Sequence, residues 1–336
     1  MDISDKESWE SIIKGCHFYD IYHTHFYHCV ESYFPAILIV SRYNNEIIAL
    51  PFKIRKIENS EYSDLTSVYG YCGPISNLCF KEISKEHFTL LRNFFLDFCK
   101  TNKIVSVFSR LHPIVDYGSF FSEFGEISIL NKTVVINLRQ SHEKQYECYR
   151  KSTKYEIRRL AKQGYTITEA HKPEEVDDFI KIYYKTMSKV NAFERYYYDK
   201  NYFYKFLNNI DYRIMLLLAK KDNKLVAGAI FTIVGDIMQY HLAATMDEYI
   251  KDSPMKLIIN EARKKANSYN LKYLHLGGGF GGKDNDNLFL FKSGFSKDFR
   301  QFSIWKLIVN DTQYNKLVLI RNLHQTKNNF FPLYRL

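Results

Sequence analysis

Long apolar runs are missing from this sequence of 336 residues. The longest, such as Ala36–Val40 and Met215–Ala219, fall far short of the ~20 residues that a membrane-spanning helix needs. The first residues, MDISDKE, are polar and acidic, whereas a secretory signal starts with basic residues and continues with an apolar segment. These absences predict a cytoplasmic protein that is not integral to a membrane.

Closely spaced cysteines and nucleophile motifs are missing as well. The six cysteines form no C-x-x-C pair, which argues against a zinc ribbon and against a disulfide framework. No carboxylate or cysteine at ligand spacing supports the histidines of His23–His28, so we expect no metal site. The G-x-S-x-G motif of serine hydrolases does not occur either. We therefore expect no cofactor and find no motif that predicts covalent catalysis.

Positive charge, by contrast, is in excess. There are 47 Lys and Arg against 37 Asp and Glu, a net charge of +10. Such a field attracts phosphates, nucleic acid or an anionic membrane surface. The 27 Tyr and 26 Phe supply rings that suit sugars or bases as well as core packing. Composition leaves all of these partners open.

Internal repetition gives the first clue to the fold, in a chain long enough for about two domains at ~150 residues each. Residues 37–49 resemble residues 215–227, and each segment predicts an apolar strand, a polar turn and a second strand. The second copy continues through the turn Gly235-Asp236 into a third strand. A helix that begins near Pro254 and a strand at Leu271–Leu276 follow.

The predicted order of the second half is β-α-α-β-β-β-α-β-α-β, which is similar to the order of the GNAT acyltransferase fold. The first half offers strands near 36–42, 46–55 and 65–71, a helix at about 84–100 and a strand at 104–109. We therefore predict two tandem GNAT-like α/β units, residues 1–145 and 146–336. Each is expected to hold a mixed, largely antiparallel twisted sheet flanked by helices, with donor and acceptor bound in a cleft between the units.

The most basic segment of the chain is a predicted helix over residues 150–164, closed by Gly164. One face is predicted to carry the cations Lys151, Lys154, Arg158 and Lys162, and the opposite face the inward residues Tyr149, Thr153, Ile157 and Leu160. A solvated face is the simplest interpretation. The alternative is contact with a pyrophosphate or an RNA backbone, because only Glu156 balances six cations.

A glycine-rich segment follows the strand at 271–276. Gly277 and Gly282-Lys283 have P-loop spacing, but Asp284 stands where Mg²⁺ binding needs a hydroxyl, which argues against nucleotide hydrolysis. The remaining chain has no room for a second βαβ unit, which likewise argues against a dinucleotide site. The segment is either a flexible turn or a place where a ligand approaches backbone N–H groups.

Two motifs carry a family resemblance. The sequence HLGGG at 275–279, followed by NLFLFKSGF at 287–295, resembles the signature of the Fem-type peptidoglycan aminoacyltransferases. The segments 240–244 and 150–164 are also similar, and the chain resembles the smaller members that lack a helical arm. This resemblance implies two GNAT-like units that move an amino acid from aminoacyl-tRNA to an amine of a cell-wall precursor.

The expected site residues follow from the resemblance and from the strand ends. Lys292 matches the signature lysine and is expected to stabilise a developing oxyanion. His112 stands where a family segment has Asp before Pro, so an imidazole is expected to act as the base. The expected substrate-binding residues are Tyr69, Tyr71, Arg110, Lys151, Lys154, Arg158, Gly277, Gly278 and Phe291.

Two other functions remain open: a coenzyme-A-dependent N-acyltransferase that acts on an amino sugar, and a non-catalytic RNA- or glycan-binding protein. The segment Tyr249–Pro254 replaces the usual acetyl-CoA loop, and Asp252 is expected to repel a pyrophosphate. The expected partners are aminoacyl-tRNA or acyl-CoA as donor and a nucleotide-sugar or lipid-linked envelope precursor as acceptor. A peripheral membrane contact is a further expectation.

Overall fold

A computed structural model describes residues 1–31, 33–279, 286–323 and 330–336. The chain forms two compact units. Unit 1 consists of Met1–Asn131 and Gln301–Leu336, and unit 2 of Lys132–Arg300. The sequence-based division at residue 145 differs in two ways. Residues 132–145 belong to unit 2, because residues 133–137 pair with a strand of that unit. The last 36 residues belong to unit 1, because the last strand of the chain pairs with a strand there.

The described helices and strands are numbered in chain order. The helices are α1 Lys6–Lys14, α2 His25–Val30, α3 Lys85–Thr101, α4 His142–Glu147, α5 Lys151–Lys162, α6 Pro173–Lys189, α7 Lys200–Leu207, α8 Met255–Ser268, α9 Asn287–Lys292 and α10 Asp311–Ile320. The strands are β1 Ala36–Tyr43, β2 Glu46–Lys56, β3 Ser63–Thr66, β4 Ile75–Ser76, β5 Ile104–Arg110, β6 Glu126–Asn137, β7 Thr166–Glu169, β8 Arg213–Lys221, β9 Lys224–Val234, β10 Ile237–Thr245, β11 Tyr273–Gly278 and β12 Asp298–Ile308. None of the described helices has both the length and the hydropathy needed to cross a membrane.

Unit 1 is built on strands in the order β1-β2-β3-β5-β12, with β4 paired to β2. Only β3 and β5 run parallel. Ser84 caps α3 by accepting the N–H of His87. The buried face of this helix repeats every four residues and consists of His87, Leu91, Phe95 and Cys99. Because β12 supplies the fully buried Trp305 to this core, the end of the chain completes the fold of unit 1.

Unit 2 is built on the last part of β6 and on β11-β10-β9-β8-β7, in that order. β10 and β11 are parallel, and the other neighbours are antiparallel. The predicted three-stranded meander is confirmed as β8-β9-β10. Its second turn contains Gly235 at φ +53°, a left-handed conformation that favours glycine. Helix α8 covers this sheet with Ile258, Ile259 and Ala262, all fully buried.

Candidate functional site

The two parallel strands of unit 2 separate at one end. Pairing of β10 with β11 begins at Ile237 and Tyr273 and ends at Gln239 and His275, although both strands continue. β10 has a bulge after Tyr240, and β11 has one after His275. Bulges bend a strand and redirect its side chains. The result is an opening between residues 240–245 and residues 276–278, here called the strand gap.

Lys292 reaches both sides of the strand gap. Asp286 caps α9 by accepting N–H groups of its first turn, and Lys292 is the last residue of this short helix. The Lys292 Nζ donates to the carbonyl oxygen of Gly278 at 2.7 Å and lies 5.6 Å from the centre of the Tyr240 ring. The side chain is only 7% exposed. A buried ammonium therefore connects the separated ends of β10 and β11.

Burial also changes how this lysine titrates. It lowers the pKa of Lys292 to about 8, and the negative charge of Asp286 opposes this shift only in part. The ammonium form still predominates at neutral pH. A fixed cation in a site with little water stabilises developing negative charge far better than the same cation does in bulk solvent.

The turn after Lys292 holds the start of the basic helix. A Cβ on Gly294 would lie 2.6 Å from the Thr153 Oγ1, so a side chain at this position would collide with α5. The Arg150 N–H donates to the Gly294 carbonyl at 2.8 Å, and the Arg150 guanidinium donates to the Ser293 Oγ at 3.0 Å. The KSGF part of the sequence signature therefore docks α5 against the helix that carries Lys292.

The outward face of α5 is cationic, as predicted. Lys151 and Arg158 are exposed, and among the described residues no carboxylate lies within ion-pair distance of either. Lys154 is half-buried, and its Nζ donates to the Glu147 carbonyl at 3.0 Å. Glu156 is neutralised by Lys256. The predicted inward residues are confirmed: Tyr149, Thr153, Ile157 and Leu160 are all buried.

The segment before α8 carries a negative charge held by two neighbours. The Tyr165 hydroxyl donates to the Asp252 carboxylate. The Arg159 guanidinium lies 4.0 Å from the Asp252 Oδ1 and donates to its carbonyl at 3.1 Å. Burial and the bond to Asp252 raise the pKa of Tyr165. Asp252 is thus a fixed part of this segment, next to the N-terminus of α8.

In unit 1 the structure brings together Tyr69, which follows β3, and Arg110, the last residue of the parallel strand β5. The Arg110 guanidinium lies 5.2 Å from the centre of the Tyr69 ring and 5.0 Å from that of Phe108. The Tyr69 N–H donates to Glu31 at 3.0 Å, and Tyr69 is 39% exposed. Burial raises the pKa of Glu31, although this hydrogen bond opposes the rise. Together they present an aromatic ring, a cation and a carboxylate on unit 1.

His112 is buried in a hydrogen-bond network, at 1% exposure. Its Nε2 lies 3.2 Å from the Asp20 Oδ2, and its Nδ1 accepts the Ile114 N–H at 3.3 Å. These two contacts fit an imidazole that carries its proton on Nε2. The Tyr71 ring lies edge-on to that of His112 at 6.3 Å and contacts Phe302 at 5.1 Å. Tyr71 and His112 thus form one cluster with Asp20.

The remaining predicted residues have different surroundings. Gly277 adopts a φ of +75° at the end of β11, which requires glycine's conformational freedom. Phe291 packs against the core of unit 2, with its ring 5.6 Å from that of Phe295. Residues 280–285, which contain the rest of the predicted glycine-rich segment, lie outside the described residues. Within the described residues, no group of three or more His, Cys, Asp or Glu is arranged to hold a metal ion.

Sequence reasoning missed two members of these clusters. Tyr240 was part of a segment that carries the family resemblance, so the signal pointed to its neighbourhood but not to its contact with Lys292. Asp20 lies 92 positions before His112, and no spacing rule connects two such residues.

Comparison with known proteins bears directly on this geometry. Residues 148–282 match the family model described as "Acetyltransferase (GNAT) domain". The crystal structure of FemX superimposes with a TM-score of 0.74 and 12% identity, over 93% of this chain and 98% of that chain. The structure of L-PGS from Bacillus licheniformis superimposes with a TM-score of 0.60 and 13% identity, over 95% of this chain and 96% of that chain. The C-terminal domain of a putative lysylphosphatidylglycerol synthetase from Agrobacterium fabrum superimposes with a TM-score of 0.54 and 13% identity, over 86% of this chain and 88% of that chain. No curated protein sequence matches the chain significantly.

The family match identifies a GNAT acyltransferase domain in residues 148–282, which lie within unit 2. More particularly, the chain has the tandem GNAT fold of FemX over almost its whole length, so the expected Fem-type fold is confirmed.

Proposed function

We propose that this protein transfers an aminoacyl group from aminoacyl-tRNA to an amine of a cell-envelope precursor. The observation that carries the proposal is the buried ammonium of Lys292 in the strand gap, 2.7 Å from the Gly278 carbonyl. The similarity to FemX and to a putative lysylphosphatidylglycerol synthetase supports this substrate class, since the second name describes an aminoacyl derivative of a lipid.

The chemistry sets the requirements. A neutral amine attacks the ester carbonyl of the donor, negative charge collects on the carbonyl oxygen, and the ester C–O bond then breaks. The Lys292 ammonium carries three N–H donors. One of them binds the Gly278 carbonyl, so the others can donate to that oxygen. Gly277 and Gly278 add no side chain that would keep the acyl group away from the backbone. This combination supports acyl transfer at the strand gap.

The donor assignment rests on charge. The outward cations Lys151 and Arg158, together with Lys154, form a stripe on α5 that suits a polyanion. Asp252 lies beside the N-terminus of α8 and disfavours a pyrophosphate there. These two observations favour RNA over coenzyme A as the carrier of the acyl group.

The acceptor is assigned to unit 1. Tyr69, which is partly exposed, offers a ring for a sugar, and Arg110 offers a guanidinium for a phosphate. Tyr71 lines the neighbouring cluster with His112. A base role for His112 requires that its Nδ1 release the Ile114 N–H. A cytoplasmic location and a peripheral membrane contact stay predictions.

The test is a transfer assay with purified protein, charged tRNA or acyl-CoA as donor, and envelope precursors as acceptors, read by the mass shift of the product. Transfer that RNase abolishes supports the proposal. Lys292→Ala should lower the rate by about a hundredfold or more, as loss of one oxyanion donor does. Lys297→Ala, which removes an exposed lysine five residues away, is the matched control and should leave the rate unchanged. An unchanged rate in Lys292→Ala would remove the catalytic assignment of Lys292. The absence of transfer by the wild type with every donor would favour a non-catalytic binding protein.

The second candidate is an N-acyltransferase that uses acyl-CoA. The match of residues 148–282 to an acetyltransferase domain favours it. Calorimetry with acetyl-CoA separates the two candidates, because micromolar binding supports the second and the absence of binding supports the first.

A further inference from the structure

Three polar side chains of unit 1 form a hydrogen-bonded chain that the proposed acyl transfer does not use. The Ser41 Oγ lies 2.9 Å from the His87 Nε2, and the His87 Nδ1 lies 3.0 Å from the Glu46 Oε2. Both distances fall within the ~2.6–3.2 Å expected for a nucleophile and its base and for the base and the group that orients it. The spacing matches a serine–histidine–carboxylate triad.

The fold explains how these residues meet. β1 and β2 form a hairpin in which Tyr43 pairs with Glu46, so Ser41 and Glu46 come from its two strands. α3 packs against β1, and its first turn brings His87 over the hairpin. The sequence separations are 46 residues between Ser41 and His87 and 41 between Glu46 and His87. A local sequence motif therefore cannot predict the triad.

The hydrogen bonds fix the direction of proton flow. The carboxylate of Glu46 accepts three donors: the Ser84 N–H at 3.0 Å, the Ser84 hydroxyl at 2.9 Å and the His87 ring. Although burial alone would raise it, these bonds lower the pKa of Glu46, so this acid is ionised at neutral pH. An ionised acceptor holds the proton of His87 on Nδ1. The Nε2 is then left as the acceptor for the Ser41 hydroxyl.

Access differs along the chain of residues. His87 is fully buried, whereas Ser41 and Glu46 are partly exposed, so a substrate would approach from the side of Ser41. Among the described strands, β1 is the first in the order of unit 1 and pairs with β2. On the opposite side, Met1 and Asp2 pair with Leu38 and Ile37, at the start of the strand. The Leu38 N–H donates to the Met1 carbonyl, away from β2, so by alternation the N–H of Arg42 also points away from β2. A backbone donor thus follows the nucleophile directly, on the open side of the hairpin.

We propose that Ser41, His87 and Glu46 form a second catalytic site, an esterase-type triad for small activated esters, independent of acyl transfer at Lys292. The Ser41 Oγ forms a bond to the ester carbonyl carbon while its proton passes to the His87 Nε2. The C–O bond to the alcohol breaks, and the alcohol leaves with that proton. Water then attacks the acyl-serine, gives one proton to Nε2, and releases the carboxylic acid as the Ser41 Oγ regains the proton. The net reaction is ester plus water to acid plus alcohol.

The test uses the full-length protein and a fluorophosphonate probe, which reacts when an activated serine displaces fluoride from phosphorus. We expect one adduct per chain by intact mass, mapped to Ser41 by peptide sequencing, and slow hydrolysis of p-nitrophenyl acetate. Ser41→Ala should lose both signals. Ser119→Ala, which removes an exposed serine outside the triad, should be labelled like the wild type.

The base and the orienting acid are tested by rates of labelling. His87→Gln should slow labelling at least about a hundredfold, the usual contribution of a general base, and Glu46→Gln should also slow it. Circular dichroism identifies a variant that fails to fold; Ser41→Ala removes only a hydroxyl and carries the decision in that case. Labelling of another residue, no adduct at all, or equal labelling of wild type and Ser41→Ala would each overturn the triad and leave it as a structural clamp between α3 and the hairpin.

Discussion

Replacing Lys292 with methionine separates what this side chain does for stability from what it does for chemistry. Methionine keeps the length and the apolar body of the chain but removes the ammonium that contacts Gly278 and Tyr240. In the wild-type protein this ammonium is buried, and burial lowers the pKa of Lys292 to about 8. Unfolded lysine has a pKa of about 10.4.

The magnitude follows from these two values. Because the pKa is lower in the folded state, the unfolded chain binds more protons between pH 8 and 10, and stability rises with pH in this window. The difference of about two pKa units corresponds to about 3 kcal/mol at neutral pH, of which about 2 kcal/mol is recovered between pH 7 and pH 10. The free energy of unfolding of the wild type should therefore rise by about this amount relative to Lys292→Met.

The assay is urea denaturation of both proteins at pH 7, 8, 9 and 10, because the difference between the two curves cancels every other titrating group. Transfer activity of Lys292→Met should be lost at all four pH values. A constant stability difference across the series would refute the idea that the folded protein buries a charged lysine. Retained activity would refute its role as the cation.

Three further predictions concern other contacts. Asp64→Asn should lower the free energy of unfolding by about 3–5 kcal/mol in urea denaturation, because the fully buried Asp64 carboxylate binds Arg335; an unchanged midpoint would contradict it. Gly294→Ala should destabilise unit 2 by about 1–3 kcal/mol through its collision with Thr153, and Thr153→Ala should restore part of the loss in a double-mutant cycle; simple additivity of the two changes would count against the collision. Arg158→Glu should weaken tRNA binding and reduce the slope of log affinity against log salt by about one or more in a filter-binding titration, whereas an unaltered slope would place Arg158 outside the interface.

Much of the secondary structure of unit 2 could be predicted from local signals. Helix α6 begins at Pro173, where a proline followed by two acids is a typical signal of a helix start. The meander β8-β9-β10 followed from alternating apolar strands and short polar turns. The inward face of α5 followed from helical spacing, and burial of Thr153 and Ile157 confirms it.

Pairing between distant strands was not predictable in this way. β12 was recognised as a strand from its own sequence, but its partner β5 lies about two hundred residues earlier, and no local pattern specifies that choice. β6 was not predicted. Part of β6 pairs with β11. Strand propensity depends on such neighbours, which the local sequence does not specify.

The candidate site was predictable in its residue types more than in its contacts. The signature identified Lys292, but a sequence contains no sign that its Nζ binds a backbone carbonyl or lies over Tyr240. Ser41, His87 and Glu46 were invisible for the same reason, since each is an ordinary residue of a hairpin or a helix until the fold brings them together.

The order of the strands has a consequence for how this protein is made. Trp305 packs against Phe95 and Phe124 in the core of unit 1, yet the ribosome reaches it only after all of Lys132–Arg300 has been translated. During synthesis, residues 1–131 therefore lack part of the core of unit 1 until the chain beyond Arg300 is made. A released chain that ended at Arg300 would therefore contain all of the second unit and only part of the first, the reverse of the usual amino-terminal-first order.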